Sequence, residues 1–389
     1  MTDPAVTVLA DDLSGAAETA GKFLGERVPV TLCLDPTTTQ ADTGITVFDL
    51  DTRAMTVPEA QRTLRAAVAA LGPEVVVLKK IDSLLRGHIG PEVDCLRERG
   101  PVIVAAALPA LNRTVEGGVL HLDGVALHRT AAWAVEDAAP PRSVDELFGT
   151  AHSESVPAGG DPRPALSAGR IAICDAASDS DLDEIVRASR GIPGIQLVGT
   201  AALAAAVARI LRPATPCAVH RRRNLSLLTV VGTAAAQAAE QVSRLVAHGS
   251  RLLTVDAETL RRGTADPTDI ARALDHGSVV LTLAGDIPPG NSRPVCAALG
   301  QLVAAGQAHH RPDLILTGGE TARAVVDAIG LTTLRPIHEV HHGAVVSVAS
   351  DGRSVATRPG SFGDRTSLTA IAEYLASRTH VHPQPKDKS

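Results

Sequence analysis

The chain has 389 residues, of which 44% are apolar, 21% charged and only 2% aromatic. This composition is close to the globular average and excludes a wholly disordered chain. A formal net charge of −6 without a long basic block argues against a nucleic-acid partner, because proteins that bind nucleic acids concentrate Lys and Arg on one face. At roughly 150 residues per domain, the length favours two domains.

The first half of the chain alternates short apolar runs with helical patterns. Strands are predicted at residues 6–10, 46–48, 75–78, 102–108, 171–174 and 196–198, and helices at residues 13–24 and 200–210. Continuous apolar runs of this length are typical of parallel strands that are covered on both faces. The stretch from Ala138 to Pro164 is rich in Pro, Gly and Ser, and we interpret it as a loop.

A change of composition at residues 212–224, RPATPCAVHRRRN, separates the two halves. Its prolines and arginine run favour an interdomain linker over a basic recognition patch. The predicted domains are therefore residues 1–211 and 225–379. Residues 380–389 are Pro-rich and charged, and we expect them to form a disordered tail.

The β/α alternation resumes after the linker. Strands are predicted at residues 225–231, 252–255, 279–283 and 314–316, with a helix at residues 233–247. Two further runs, 345–348 and 355–356, flank the hairpin turn signal Asp351-Gly352. The expected fold class is α/β, with two α/β domains of mostly parallel sheets and the active site in the cleft between them.

The cysteines and the N-terminal residues indicate the cellular compartment of the protein. The five cysteines are scattered, without a CxxC pair, at Cys33, Cys95, Cys174, Cys217 and Cys296. This pattern predicts a reducing compartment, with neither a disulfide framework nor a zinc ribbon. The first residues are acidic where a signal peptide is basic, and the most apolar stretch, 201–211, is too short to span a bilayer. We therefore expect a cytoplasmic protein with no membrane partner.

Residues that directly follow predicted strands are the candidates for a site, because open α/β sheets bind ligands at the carboxyl ends of their strands. In the first half these residues are mostly charged: Asp11, Asp12, Lys79, Lys80, Asp82, Arg86, Asn112 and Arg113. Carboxylates accept hydrogen bonds from sugar hydroxyls, and guanidinium groups bind carboxylates with two hydrogen bonds. The set predicts a site for a small polyhydroxylated anion.

In the second half the corresponding positions are rich in glycine: Gly232-Thr233, Gly285-Asp286, Gly318-Gly319-Glu320-Thr321 and Gly360-Ser361-Phe362-Gly363. Exposed backbone N–H groups and the positive end of a helix dipole suit phosphate oxygens. A sugar-anion site in one half and a phosphate site in the other indicate a small-molecule kinase.

Structural interpretations of the same residues remain open at this point. Asp11-Asp12 is also a suitable helix cap, and Gly318-Gly319 is also a tight turn. The histidines at 309–310 and at 338, 341 and 342 are expected to be surface residues rather than a metal site. The motifs GxxxxGK[ST], GxGxxG, HExxH and GxSxG are absent, which argues against a P-loop ATPase, a dehydrogenase and an α/β hydrolase.

Seven segments together resemble the four-carbon acid sugar kinases. In chain order they are ADDLSGAAETA (10–20), KKIDSLLRGHIGPEVD (79–94), LPALNRTVEGGVLHLDGVALHRT (108–130), LVGTAALAAAVA (197–208), VVGTAAAQAAEQV (230–242), LTGGETARAV (316–325) and RPGSFGD (358–364). The resemblance implies an N-terminal sugar-binding domain and a C-terminal nucleotide-binding domain. It also implies ATP-dependent phosphorylation of a terminal hydroxyl on a tetronate or 3-oxo-tetronate, with Mg²⁺ at the phosphates.

Site residues follow from the motifs that carry the resemblance. The sugar-site motifs hold Asp11, Asp12, Lys80, Asp82, Ser83, Arg86 and Gly87. The nucleotide-site motifs hold Gly232, Thr233, Gly318, Gly319, Glu320, Thr321, Gly360, Ser361, Phe362 and Gly363. The sequence assigns no metal ligand, and a homodimer is only the default oligomeric expectation.

We expect Arg86, helped by Lys80, to hold the substrate carboxylate, and we place Arg86 and Asp12 in the catalytic set. Arg113 is a further expected substrate-binding residue. Asp11 and Asp82 are then the acceptors for substrate hydroxyls, and Asp12 orients or deprotonates the attacking hydroxyl.

Three positions depart from the family pattern. Leu84 stands where Thr is usual, Arg358-Pro359 stands where Lys and a small residue are usual, and residues 339–343 replace a Pro-Gly pattern. The departures at Leu84 and Arg358 are the only support for the alternative hypothesis, a non-catalytic sugar-acid or nucleotide sensor on the same fold.

Overall fold

The computed structural model describes residues 6–24, 29–35, 44–73, 75–134, 136, 138–149, 152–211, 226–232, 236–285, 292–360 and 362–377. The chain forms two compact units, the first from residues 1–11, 25–30 and 35–216, and the second from residues 12–24, 31–34 and 217–389. The second unit thus includes two segments from the N-terminal half, whereas the sequence-based boundary divides the chain once. The predicted linker (212–224) and tail (380–389) lie outside the described residues.

The strands of the first half are β1 (Val6–Ala10), β2 (Val30–Cys33), β3 (Ile45–Asp49), β4 (Val76–Lys80), β5 (Val102–Ala105), β6 (Arg113–Glu116), β7 (Val119–Leu122), β8 (Val125–Ala126), β9 (Ser153–Val156), β10 (Ile171–Cys174) and β11 (Gln196–Gly199). Those of the second half are β12 (Leu227–Val231), β13 (Arg251–Asp256), β14 (Val279–Ala284), β15 (Asp313–Thr317), β16 (Thr333–His341), β17 (Ala344–Ala349) and β18 (Ser354–Arg358).

The helices are α1 (Leu13–Leu24), α2 (Val57–Ala69), α3 (Ile89–Arg97), α4 (Arg163–Ser167), α5 (Asp179–Ser189), α6 (Ala201–Ile210), α7 (Ala236–Ala247), α8 (Ala257–Arg261), α9 (Thr268–Leu274), α10 (Ser292–Gln307), α11 (Gly319–Ile329) and α12 (Ser367–Ala376). Local signals set several of their ends. For example, the Ser178 hydroxyl accepts a hydrogen bond from the backbone N–H of Asp181, whose carboxylate accepts one in return, and this capping box starts α5.

The sheet of the first unit has the order β3-β1-β4-β11-β5-β10-β9, and all of its pairs are parallel. Leu9 of β1 is level with Phe48 of β3 and with Lys79 of β4, so these neighbouring strands end at the same edge of the sheet. Strands β1 and β3 are buried throughout, as their apolar sequences require. A small antiparallel sheet, β6-β7-β8, is separate from this one.

In the second unit the strands follow the order β13-β14-β12-β15-β18-β17-β16-β2. The first five strands are parallel, and the β16–β17–β18 meander and the β16–β2 pair are antiparallel. Val231, Thr317 and Arg358 are level in register, so β12, β15 and β18 also end at the same edge of the sheet. The expected fold class, two mostly parallel α/β domains, is confirmed.

The loop predicted between Ala138 and Pro164 is wrong in part. This stretch contains β9 and a 3₁₀ turn at Val144–Leu147, and β9 is an edge strand paired with β10. Its sequence, SESV, carries polar residues because an edge strand needs less apolar cover than a central one. The sequence also gave no prediction of the β6-β7-β8 arm or of β16.

Helices α10 and α11 approach each other closely at Gly300. A Cβ atom added to Gly300 would overlap the backbone carbonyl of Ala324. We therefore expect Gly300→Ala to lower the free energy of unfolding by about 1–3 kcal/mol, measured by urea denaturation. Gln301→Ala, at an exposed position on the same helix, is the control and should leave stability unchanged. Equal stability of the two variants would contradict the close approach.

Candidate functional site

Asp11 lies directly after β1 and is only 3% exposed. Arg53, which follows β3, donates two hydrogen bonds to it, from Nε to Oδ2 at 2.9 Å and from Nη2 to Oδ1 at 3.0 Å. Burial alone would raise the pKa of Asp11, but the charges of Arg53, Lys79 and Lys80 outweigh it and hold this pKa below its usual value. Asp11 is therefore an ionised carboxylate at neutral pH.

A tight loop after β4 carries the second buried carboxylate, Asp82. Its Oδ2 accepts hydrogen bonds from the backbone N–H of Leu84 at 3.0 Å and from Nε of Arg86 at 2.8 Å, while Nη2 of Arg86 donates to Oδ1 at 2.9 Å. Leu85 adopts a left-handed φ of 63°, a conformation that is strained for a Leu and that clusters at functional sites. The loop is therefore held by hydrogen bonds from its own residues to the Asp82 carboxylate.

Burial would also raise the pKa of Asp82. The hydrogen bonds from Arg86 and the charges of Arg53, Arg86 and Lys80 instead hold this pKa far below its usual range. The same interactions occupy the Nε–Nη2 edge of Arg86, so that edge is not presented to a substrate carboxylate.

Two side chains from more distant segments fix the same loop. Nη1 of Arg113, at the start of β6, donates a hydrogen bond to Oγ of Ser83. The indole Nε1 of Trp133 donates to the carbonyl oxygen of Leu84 at 2.8 Å. Trp133 is the one tryptophan of the sequence, so its fluorescence reports on this loop.

A fully buried ion pair underlies the strand end. Nζ of Lys79 is 3.1 Å from Oε2 of Glu92 on α3, and their side chains are 0% and 2% exposed. Oγ1 of Thr52 donates a hydrogen bond of 2.6 Å to the other carboxylate oxygen of Glu92. Because Thr52 immediately precedes Arg53, this pair also fixes the segment that carries the partner of Asp11.

The first unit thus brings together the residues predicted for the sugar site. Arg53, Arg86 and Lys80 surround the two carboxylates, and the Cβ position of Gly87 lies 3.3 Å from Oδ2 of Asp11. Arg53, Glu92 and Trp133 are absent from the sequence-based set. The signal for Arg53 was present, because residues 49–53 (DLDTR) also follow a predicted strand.

Asp12 belongs to the second unit, where it caps α1. Its Oδ1 accepts a hydrogen bond from the backbone N–H of Gly15 at 3.0 Å, and its Oδ2 accepts one from Oγ of Ser14 at 2.6 Å. The capping interpretation therefore holds for Asp12. A Cβ on Gly319 would overlap Oδ2 of Asp12, so the carboxylate also lies against the N-terminus of α11.

The glycine-rich segments converge where β12, β15 and β18 end. The backbone N–H of Gly318 donates to the carbonyl oxygen of Arg358 at 2.9 Å, and the Cα of Gly232 packs against the side chain of Thr321. Gly318 adopts a left-handed φ of 87°, and the position of its missing Cβ is open space. The start of α11 is thus accessible to an oxygen ligand of its backbone N–H groups.

The other residues predicted for the nucleotide site lie in different surroundings. Glu320 is exposed in the first turn of α11. Gly360 and Phe362 are partly buried in the loop after β18, and Gly363 packs against Ser367 at the start of α12. Thr233 and Ser361 lie outside the described residues.

The histidines at 338, 341 and 342 are not the surface residues that the sequence predicted. Each is partly buried in β16 or directly after it. The rings of His338 and Tyr374 are stacked at 4.3 Å, and Nε2 of His341 is 2.8 Å from Oγ of Ser367. The histidines were misassigned because β16 contains Pro336, and a proline within a run weakens its strand pattern.

Family models match both halves of the chain. One, described as a sugar-binding N-terminal domain, matches residues 6–207, and one described as a nucleotide-binding C-terminal domain matches residues 228–368. A D-threonate kinase of Cupriavidus necator is 32% identical over 93% of this chain and 95% of its own length. The chain belongs to the four-carbon acid sugar kinase family.

A further relative and a solved structure that resemble this chain agree with the assignment. A 3-oxo-tetronate kinase of Cupriavidus necator is 27% identical over 92% of this chain and 94% of its own length. A crystal structure from Salmonella typhimurium LT2 has a TM-score of 0.77 and 22% identity, covering 95% of this chain and 99% of that one, and it shows that the fold is shared.

Two negative findings hold for the part of the kinase that the structure describes. No three His, Cys, Asp or Glu side chains are grouped as ligands of a metal ion. No helix there combines the length and the apolar character that crossing a membrane requires.

The buried Lys79–Glu92 pair gives a stability prediction. Glu92→Gln leaves the Lys79 ammonium buried without a counter-charge, so we expect the free energy of unfolding to fall by about 3–5 kcal/mol in urea denaturation. Lys79→Met combined with Glu92→Gln should recover part of this loss. The control is Glu98→Gln, which removes a charge from the exposed pair with Arg65 and should cause no measurable change.

Asp11 and Asp82 give a pH prediction. Both have lower pKa values folded than unfolded, where Asp titrates near about 3.9, so the unfolded chain binds more protons and stability falls with falling pH. The loss should begin below about pH 5 and continue to the folded pKa values. Urea midpoints at pH 7, 5, 4 and 3 should fall less steeply for Asp82→Asn than for the unchanged kinase, and parallel curves would contradict the assignment.

Proposed function

We propose that this kinase transfers the terminal phosphoryl group of ATP to a terminal hydroxyl of a four-carbon acid sugar, with Mg²⁺ at the phosphates. The observation that carries the proposal is the arrangement of charges in the first unit. Two buried carboxylates, Asp11 and Asp82, are held ionised by Arg53, Arg86 and Lys80, so the strand ends place hydroxyl acceptors beside cations that suit an acid.

Binding of the sugar acid divides into two tasks. Lys80 and Arg113 are the candidates for its carboxylate, since Arg86 has its Nε–Nη2 edge on Asp82. We therefore assign Arg86 to the orientation of Asp82 and to the local positive charge. Asp11 and Asp82 accept hydrogen bonds from substrate hydroxyls, because an ionised carboxylate has lone pairs beyond those that its arginine uses.

The second unit fits a nucleotide. The open space at Gly318 and the N–H groups at the start of α11 together suit phosphate oxygens. Asp12 is the carboxylate at the same edge, and one carboxylate with phosphate oxygens is a common way to hold Mg²⁺. Bound ATP supplies the phosphoryl group, and Asp12 orients the attacking hydroxyl or accepts its proton.

The choice of substrate rests on the relatives. The D-threonate kinase of Cupriavidus necator makes D-threonate the first acid to test, and the 3-oxo-tetronate kinase makes the 3-oxo-tetronates the second. Leu84 presents an apolar side chain where the family usually has a threonine, so a substrate that relies on a hydroxyl donor at that position should be phosphorylated poorly.

The test is a coupled ADP-release assay with Mg-ATP against D- and L-threonate, D- and L-erythronate, the 3-oxo-tetronates and five-carbon acids. We expect turnover that depends on one four-carbon acid, and a change in Trp133 fluorescence when that acid binds. Nucleotide binding without turnover on any acid would favour another acceptor. Sugar-acid binding without nucleotide binding or transfer would favour the sensor.

Asp12→Asn tests the catalytic assignment. Asparagine caps helices as well as aspartate does, so the variant should keep its fold while kcat falls by about 10²-fold or more. The Trp133 signal for sugar-acid binding should be unchanged. Asp94→Asn, an exposed position on α3, is the matched control. Turnover of Asp12→Asn at the unchanged rate would refute the role of Asp12.

A further inference from the structure

Arg358, the last residue of β18, is a buried arginine with an unusual set of partners. It is 1% exposed, and among the described residues its guanidinium donates to neutral oxygens without a carboxylate partner. Nη1 donates to the carbonyl oxygen of Phe362, and Nη2 donates to Oε1 of Gln241 on α7 at 3.0 Å. Burial of the guanidinium lowers the pKa of Arg358 to about 10.

Arg353, immediately before the same strand, shows the contrast. It is also 1% exposed, but its Nε donates to Oδ2 of Asp351 at 2.7 Å and its Nη1 donates to Oε1 of Gln307 at 2.8 Å. Each arginine therefore meets a glutamine, and Arg353 alone of the two is paired with a carboxylate among the described residues. The pairing with Asp351 accounts for the burial of Arg353, but among the described residues no such pairing accounts for the burial of Arg358.

Gln241 extends the contacts of Arg358 along the loop after β18. Its Nε2 donates to the carbonyl oxygen of Asp364 at 2.6 Å, while its Oε1 accepts from Arg358. Arg358 and Gln241 thus hold the two carbonyl groups on either side of Gly363. We call this arrangement the Arg358–Gln241 clamp. It consists of two side chains that share one hydrogen bond and each donate to one carbonyl group of the loop.

The held segment has further fixed contacts. The ring of Phe362 stacks on His342 with centroids 5.5 Å apart, and a Cβ on Gly343 would overlap it. The backbone N–H of Phe362 donates to the carbonyl oxygen of Pro359 at 3.1 Å, which closes a turn.

We propose that Arg358 is a positioning residue for nucleotide binding, which fixes residues 359–364 jointly with Gln241 instead of contacting a phosphate itself. The inference rests on the proposed function, in which Gly360 to Gly363 contact the nucleotide. It also accounts for the identity of the residue. A lysine is a compact point charge on a flexible stem, so it holds a carbonyl oxygen and a glutamine side chain together less rigidly than the planar guanidinium does.

The experiment compares Arg358→Lys, Gln241→Met and the double variant with the unchanged kinase, with Arg353→Lys as the matched control. Two quantities are measured: the dissociation constant for Mg-ADP by calorimetry, and amide hydrogen exchange across residues 359–366 without ligand. We expect each single variant to weaken ADP binding about tenfold and to speed the exchange of the Phe362 amide. The double variant should be no worse than either single one, because both remove the same clamp.

A positioning role also predicts that KM for ATP changes much more than kcat does. KM for ATP should rise with the ADP dissociation constant, while kcat at saturating ATP should change less than threefold. Sugar-acid binding, measured by Trp133 fluorescence, should stay unchanged. Arg353→Lys should lower the urea midpoint and leave ADP binding and the exchange of residues 359–366 as they are.

Direct phosphate contact would give a different pattern. In that case Gln241→Met would bind ADP normally, and the loss in Arg358→Lys would grow from AMP to ADP to ATP. That result, or unchanged ADP binding in both single variants, would overturn the proposal. A failure of the proposed function is separable, because a chain that binds ADP and phosphorylates no acid would refute the function while the clamp measurements still stand.

Discussion

Two carboxylates lie buried where β1 and β4 end, and their removal from water is tolerated only because cations surround them. The cations come from β4, from the loop after it and from the segment after β3, so compensating the charge also fixes the geometry. Arg53 ties the segment after β3 to Asp11, and Arg86 closes its own loop on Asp82. Under the proposed function an incoming acid meets these same cations, so folding and recognition use the same groups.

The candidate phosphate edge of the second unit is built by other means. It consists of backbone N–H groups, glycines and helix starts, and Arg358, a buried cation beside it, donates to Phe362 and Gln241. Backbone dipoles are fixed by the fold itself and need no counter-ion, so this edge stays ordered without the dense ion pairing of the first unit. The division suits a kinase, in which a small acid must be oriented at several atoms while phosphates are held by many weak donors.

Much of this could be predicted from the sequence. Buried parallel strands are short apolar runs, so β1, β10 and β12 were predicted closely, and the rule that ligands bind at strand ends led to Asp11, Asp82 and Gly318. Partners between distant segments could not be predicted. Glu92 and Gln241 act through contacts set by strand order and helix packing, which no local pattern encodes, whereas Arg53 was missed although it also follows a predicted strand. Polar strands such as β9 and β16 were missed because edge and meander positions lack the apolar signal.

Helix α1 illustrates a cost of discontinuous units. It follows β1 in the chain but packs against β16 and α11, and most of its residues are buried there. During synthesis roughly 300 residues separate α1 from those partners, which at about 5–20 residues per second is a delay on the order of 15–60 s. Over that time the apolar face of α1 has no native cover while the strands of the first unit are already complete. The nascent chain should therefore be a client of ribosome-associated chaperones, and a gene fragment that begins at residue 226 should yield an incomplete second unit.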